Sequence, residues 1–250
     1  MNKKLALETG GFYTDYYDHQ FDRKDSNTPI WNRNNRKFPN RSEQFAIIHK
    51  YFGCNSPIPV YTGIGLEPCE WWNCWGTKQY LQGDEKLVVY TDETFHMGQG
   101  KIIHDLFNDP MPAEYLQLNA VMFFENPFPE RGKSLSKRLL AVGNKMFWIE
   151  YVSYEEWQSN VGDGEINILE QEVTQEHRQN MLSIMRDLRS PLLAIDFVPN
   201  LDEHGDAVVW YATDLNLAPG IKSSGIEKVL SATEFVQEIK NFYFSEGLEK

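Results

Sequence analysis

Asp196, Asp214 and Asn216 are the residues whose types and spacing best suit chemistry. They lie in LLAIDFVPNLDEHGDAVVWYATDLNLAPGI, residues 192–221, where two apolar runs flank a polar turn at 200–206. With the two-residue period of a strand, Leu192, Ala194, Asp196 and Val198 share one face, and Val208, Trp210, Ala212, Asp214 and Asn216 share another. A hairpin centred near Gly205 sets Asp196 opposite Asp214, with Cβ atoms roughly 5 Å apart. Two carboxylates at about 4 Å repel by about 4 kcal/mol at an effective dielectric near 20. A cation removes that cost, and Asn216 adds a neutral oxygen on the same face. Oxygen-only ligands suit magnesium, which usually keeps waters and substrate phosphates as well. By residue types alone a solvated hairpin, its acids facing water, stands as the alternative.

Other residues offer weaker chemistry. In HMGQGK (96–101), Gly98 and Gly100 would let backbone N–H groups approach a phosphate, with Lys101 adding charge. His96 lies in the same loop. Taken alone, such a loop reads equally as an ordinary turn. Arg23, Lys24, Arg33, Arg36, Lys37 and Arg41 form a basic cluster suited to phosphate or an acidic substrate, or simply a solvated arm held by Trp31 and Phe38. Cys69 and Cys74 in PCEWWNCWG do not have standard zinc spacing, so Trp71, Trp72 and Trp75 read as a small satellite core or a docking surface. His49 and His104 read as core-edge residues, and His177 and His204 as exposed. No HExxH, nucleophile elbow or Cys–His pairing supports hydrolase chemistry.

The elements that must position these groups follow from pattern. Residues 40–52 read as a helix with Asn40 and Glu43 at its start, an Ile47, Ile48, Tyr51, Phe52 stripe, and Gly53 as its stop. KLVVYT (86–91) and NAVMFFENPF (119–128, ending at Glu125) read as strands. KRLLAVGNKMFWIEYVS (137–153) reads as a hairpin turning at Gly143–Asn144, and 154–165 as a loop. Residues 174–189 form a helix with Met181, Ile184, Met185 and Leu188 inward. SATE (231–234) is a capping box opening a last helix whose apolar side is Phe235, Val236, Ile239, Phe242 and Tyr243.

The bulk numbers bound the class. With 250 residues, 41% hydrophobic and 14% aromatic, the chain can bury a substantial core. A net charge of −12 argues against general nucleic-acid or anionic-membrane binding. No apolar run is long enough for a transmembrane helix, and no signal peptide is read. Three cysteines form no disulfide framework, so a cytoplasmic setting is expected.

Taken in order, these motifs resemble the ATP-grasp superfamily, most of all RimK-type carboxylate–amine (peptide–amino acid) ligases, over roughly residues 40–230. NSPIPVYT resembles the element "GIPVP(R/K)T". KLVVYT…HMGQGK resembles the strand and glycine loop over the ATP phosphates. VMFFENPF with Glu125 resembles the hinge "VxQEF", KRLLAVG with Arg138 the strand "RxxVVG", and WQSNV with Asn160 the loop "FRxN". AIDFV…ATDLNLAPG resembles "xDxx…xExNxxPG", and PGIKSSGIEKV resembles "PGLEGIE".

The resemblance implies an α+β fold: two mixed or antiparallel α+β subdomains enclosing a nucleotide site. It divides the chain into an irregular basic arm (1–39), a smaller subdomain with the glycine loop (40–118) and a C-terminal subdomain with the metal site (119–250). It implies ATP and magnesium as cofactors. Asp196, Asp214 and Asn216 would hold the metal, and Glu125 would lie near adenine and ribose. Gly98 and Gly100 would close over the phosphates. Arg138 and Asn160 would face phosphate or the acyl phosphate, and Lys222 and Ser223, with Ser224 beside them, would touch substrate. The implied reaction activates a carboxylate as an acyl phosphate and lets an amine displace phosphate, leaving ADP. Partners would be a small-molecule or peptide carboxylate and an amine.

Departures from the pattern keep other functions open. The metal-binding glutamate is Asp214. The strand lysine falls at Tyr90, with Lys86 or Lys101 as substitutes. The arginine of "FRxN" is Gln158, a neutral residue toward the substrate where the pattern has a cation for an anionic group. About forty irregular residues precede the first matching helix, so the acceptor surface is expected from the basic arm or a protein partner. The alternatives are a nucleotide-binding protein without turnover and a small-molecule kinase.

Overall fold

The structure is a computed structural model that describes residues 6–7, 30–31, 39, 41–53, 86–90, 101–104, 121–124, 133–155, 164–201, 204, 206–217, 219–221 and 224–248. In chain order its elements are β1 (Ala6–Leu7), β2 (Ile30–Trp31), α1 (Arg41–Phe52), β3 (Lys86–Tyr90), β4 (Lys101–His104) and β5 (Val121–Phe124), then β6 (Ser134–Val142), β7 (Lys145–Ser153) and β8 (Glu165–Ile168). There follow α2 (Gln175–Asp187), β9 (Leu192–Leu201), β10 (Ala207–Asn216) and α3 (Ala232–Ser245), with 3-10 turns at Glu170–Glu172 and Ile226–Lys228. Two compact units emerge. One takes Met1–Phe38, Lys133–Phe197 and Asp214–Lys250; the other takes Pro39–Gly132 and Val198–Thr213.

The first unit holds β6, β7 and β8 with the start of β9 and the end of β10, strands ordered β10-β9-β6-β7-β8. Its centre is the hairpin β6–β7, which turns through Gly143 and Asn144 because Val142 pairs with Lys145. Gly143 sits at φ +57, where a side chain is strained, and a Cβ there would overlap the Glu238 carbonyl of α3. Both the turn and the close approach therefore require glycine. β6 also pairs antiparallel with β9, and β7 with β8. β8 starts at Glu165, where the sequence reads as loop. It is four residues long with half its side chains exposed, too short a pattern to be read without the β7 edge that recruits it.

Both faces of this sheet are covered, which explains the unalternating apolar runs in β6, β7 and β9. On one face Leu140, Val142, Phe147, Ile149, Leu192 and Ala194 pack with Ile226 and with Phe235, Val236, Ile239 and Tyr243 of α3. On the other, Leu139, Trp148, Leu193, Ile195 and Phe197 are buried. Trp148 there meets Phe197 and His177 of α2 edge-on, with ring centroids 4.8 and 5.2 Å apart. Each fully buried large apolar side chain contributes about 1.5–3 kcal/mol.

Both helices of this unit are capped as their first turns require. The Ser231 hydroxyl accepts from the Glu234 N–H at 3.3 Å, and the Glu234 carboxylate accepts from the Ser231 N–H at 3.1 Å. At α2, Thr174 Oγ1 accepts from the His177 N–H at 3.1 Å, and His177 Nδ1 accepts from the Thr174 N–H at 3.2 Å. His177, expected in solvent, is therefore half-buried. Its ring closes the cap and rests on Trp148, a residue from a distant strand.

In the second unit, β3 is flanked by β4 and β5, all antiparallel. Helix α1 buries Ile48 completely, and its Gln44 donates to the Pro39 carbonyl at 3.0 Å. Gly53 follows α1 at φ +57, as its role as the stop requires. His49, expected at a core edge, is exposed. Asn40 and the segment 54–85, with Cys69, Cys74 and the tryptophans, lie outside the described residues.

Candidate functional site

Arg138 and Asp196 are brought together by β-pairing. They are direct cross-strand partners on β6 and β9, so their side chains leave the same face of the sheet side by side. Arg138 Nε donates to Asp196 Oδ1 at 2.6 Å and Nη2 donates to Oδ2 at 2.9 Å. This two-pronged fork is the strongest geometry available to an arginine and a carboxylate. The side chains are only 12% and 23% exposed, so water screens the pair weakly. The preceding residue, Lys137, points to the other face and pairs with Glu172 at 2.7 Å. Strand alternation thus separates a structural cation from the one at the site.

Tyr151 completes the arginine's surroundings. It stands on β7 two residues beyond Ile149, the partner of Arg138. Its ring centroid lies 5.7 Å from the guanidinium carbon, within cation–π range. Burial opposes the charge on Arg138, but the Asp196 carboxylate outweighs it, with smaller effects from Tyr151 and Asp214; the net pKa is raised. Burial pushes the Tyr151 phenol up, the guanidinium pulls it back, and Asp196 and Glu227 push it up again. Five groups therefore share one electrostatic neighbourhood: Arg138, Asp196, Asp214, Tyr151 and Glu227.

Arg138 lies on Asp196 and its charge acts on Asp214, so the protein supplies a counter-charge of its own to both acids. Charge balance alone no longer calls for a metal there. Among the described residues no group of three or more His, Cys, Asp or Glu side chains is arranged to hold a metal ion. The donor set of Asp196, Asp214 and Asn216 nevertheless fits magnesium in kind. It is all oxygen, the donor type magnesium prefers. Asp214 and Asn216 stand at the end of β10, both half-buried.

The remaining expected residues divide by position. Lys101 on β4 is the cross-strand partner of Tyr90, whereas Lys86 begins β3 and pairs with Phe124. Of these two, only Lys101 stands beside the position where the family pattern places its lysine. Gly98, Gly100, Glu125, Gln158, Asn160, Lys222 and Ser223 lie outside the described residues. Ser224 is buried, and its hydroxyl accepts from the Ile226 N–H at 3.4 Å, so it shapes the turn before Glu227. Tyr151 and Glu227 were not anticipated as site residues. Tyr151 carries a signal in hindsight: it shares a strand face with Phe147 and Ile149, and ends that apolar row with a hydroxyl.

No family model and no curated protein matches the chain. Solved structures do. The ATP-grasp ligase PsnB complexed with a minimal precursor aligns with a TM-score of 0.53 at 12% identity, over 83% of this chain and 60% of that one. The same ligase complexed with a phosphomimetic variant of the minimal precursor, Mg and ADP aligns at 0.52 and 11% identity, over 83% and 59%. The chain thus spans about three fifths of the length of these ligases. At such identity the likeness speaks to architecture: the chain has the α+β fold of the ATP-grasp ligases.

Proposed function

We propose that the chain is an ATP- and magnesium-dependent carboxylate–amine ligase that forms an amide through an acyl phosphate and releases ADP. The observation that carries this reading is the Arg138–Asp196 fork with Asp214 in its field, on a fold shared with ATP-grasp ligases. In the proposed site Asp196, Asp214 and Asn216 hold magnesium, which neutralises phosphate charge when bound. Arg138, through its remaining N–H groups, and Asn160 face an anionic oxygen of phosphate or acyl phosphate. Gly98 and Gly100 cover the phosphates, Lys101 or Lys86 adds charge, and Glu125 meets the nucleoside. Gln158, Lys222 and Ser223 face the substrate. A substrate carboxylate oxygen bonds to the γ-phosphorus as ADP leaves. An amine nitrogen then bonds to the acyl carbon, phosphate leaves and the amine loses a proton. The protein's part is largely positioning and charge neutralisation.

A PsnB structure holds the precursor peptide PsnA2, which supports a peptide or amino-acid carboxylate here. The amine is of the same small-molecule or peptide class. The acceptor surface belongs to the arm 1–39 or to a protein partner, the glycine loop to the segment 40–118 and the metal site to the segment 119–250. No helix among the described residues is long and apolar enough to cross a membrane. A cytoplasmic setting belongs to the same proposal.

A second reading, nucleotide binding without turnover, is favoured by one feature: both oxygens of Asp196 are already engaged by Arg138. A panel of carboxylates and amines with ATP and magnesium separates the two. Ligation gives ADP only with both acceptors present, and a product amide by mass spectrometry. Asp196→Asn and Asp214→Asn should each abolish magnesium-dependent ATP binding while the chain stays folded. Unchanged nucleotide affinity in both variants would overturn the site.

A further inference from the structure

The proposed metal ligand Asp196 is matched by a cation of the protein's own. Arg138 donates to both oxygens of Asp196, at 2.6 and 2.9 Å, and the pair is largely withdrawn from water. Its charge also reaches Asp214, the second carboxylate of the set. A divalent cation arriving alone must therefore approach two acids already neutralised in part, and must lie close to a guanidinium that repels it. The fork spends only Nε and Nη2 of Arg138. The Tyr151 ring lies 5.7 Å from the guanidinium carbon and its phenol hydrogen-bonds the same group, so of the five guanidinium N–H bonds the fork takes two and Tyr151 one. A guanidinium in this state has donors ready for a phosphate oxygen.

We infer that Arg138 is an internal counter-cation on Asp196 that weakens divalent-metal binding until a polyphosphate engages its remaining N–H groups. The inference rests on the metal site proposed above. Metal and nucleotide then bind as a coupled pair, because each lowers the cost of the other. A phosphate takes up the arginine's charge, and Asp196 and Asp214 regain affinity for the metal. Tyr151 is the positioning residue that keeps the guanidinium within reach of both.

The test is Mn²⁺ binding to the full chain, read as the loss of free Mn²⁺ signal by electron paramagnetic resonance, with and without ADP. Wild type is expected to bind Mn²⁺ weakly alone and more tightly with ADP. Arg138→Gln removes the competing charge and is expected to bind Mn²⁺ alone about tenfold more tightly or better, an estimate from the charge removed. Arg138→Lys keeps the charge and should stay near wild type. If wild type binds Mn²⁺ with ADP but Arg138→Gln gains no affinity for Mn²⁺ alone, the counter-cation idea is overturned and the metal site stands. If no protein binds Mn²⁺ under either condition, the metal site itself fails and takes this inference with it. A second measurement does not depend on any variant folding. In wild type, the Arg138 Nε–H resonance should shift with magnesium plus ADP and stay in place with magnesium alone. An equal shift with magnesium alone overturns the inference.

Discussion

Breaking the Arg138–Asp196 fork should destabilise the chain by an amount the geometry sets. Removing one partner of a fully buried pair costs about 3–5 kcal/mol, because the other charge is left unpaired. A solvent-exposed pair is worth only about 0–1 kcal/mol. At 12% and 23% exposure this pair lies near the buried limit without reaching it. Arg138→Met takes the guanidinium away from the Asp196 carboxylate. Asp196→Asn keeps one acceptor oxygen but leaves the guanidinium's charge unanswered. Each single change is therefore expected to cost about 2–3 kcal/mol, below the buried-pair range because of the residual exposure. The double variant should cost less than the sum, with a coupling of about 1.5–2 kcal/mol, since no orphan charge remains. Urea denaturation followed by tryptophan fluorescence measures all four corners of the cycle. Trp148, packed on Phe197 just beyond Asp196, reports on this sheet. Single variants that each lose under about 1 kcal/mol and add without coupling would refute the claim that the fork is a desolvated ion pair.

Three further outcomes follow from local geometry. Gly143→Ala should lose about 2–3 kcal/mol in the same assay, because the φ of +57 strains a side chain and its Cβ meets the Glu238 carbonyl; a loss under about 0.5 kcal/mol contradicts the turn geometry. Ser231→Ala should cost about 1 kcal/mol by removing the α3 cap, and Ser231→Asp should restore most of it. Burial of His177 lowers its pKa below the ordinary 6.5, against the opposing pull of Glu176 and the Glu172 carbonyl. The unfolded chain therefore takes up this proton first as pH falls. The contribution of His177 is complete above pH 6.5 and is lost as the pH drops through the lower folded value. His177→Gln should flatten the pH dependence of the thermal midpoint in that window, and an unchanged slope counts against the buried cap.

What could be read from the chain alone was local or periodic. The box at Ser231 and Glu234 needs three residues, and the turn at Gly143–Asn144 needs two. The inward side of α3 follows from helical spacing: Phe235, Val236, Ile239, Phe242 and Tyr243 are the residues it buries. The order of strand, hinge and acidic hairpin was enough to reach the ATP-grasp fold, because apolar period and punctuation survive where identity has fallen to 12%. Register and layering required the folded protein. Asp196 was legible as an awkward acid in a strand, but its partner lies 58 residues away and is chosen by how β6 and β9 align. Tyr151 joins the site through the same ladder, one strand further on. β8 exists because β7 offers it an edge, and His177 is sheltered because α2 begins over Trp148. A strand's face is set by its own alternation, whereas its neighbour is set by the free energy of the whole sheet. The sequence therefore named the acids at 196 and 214, and only the tertiary structure set Arg138 against Asp196.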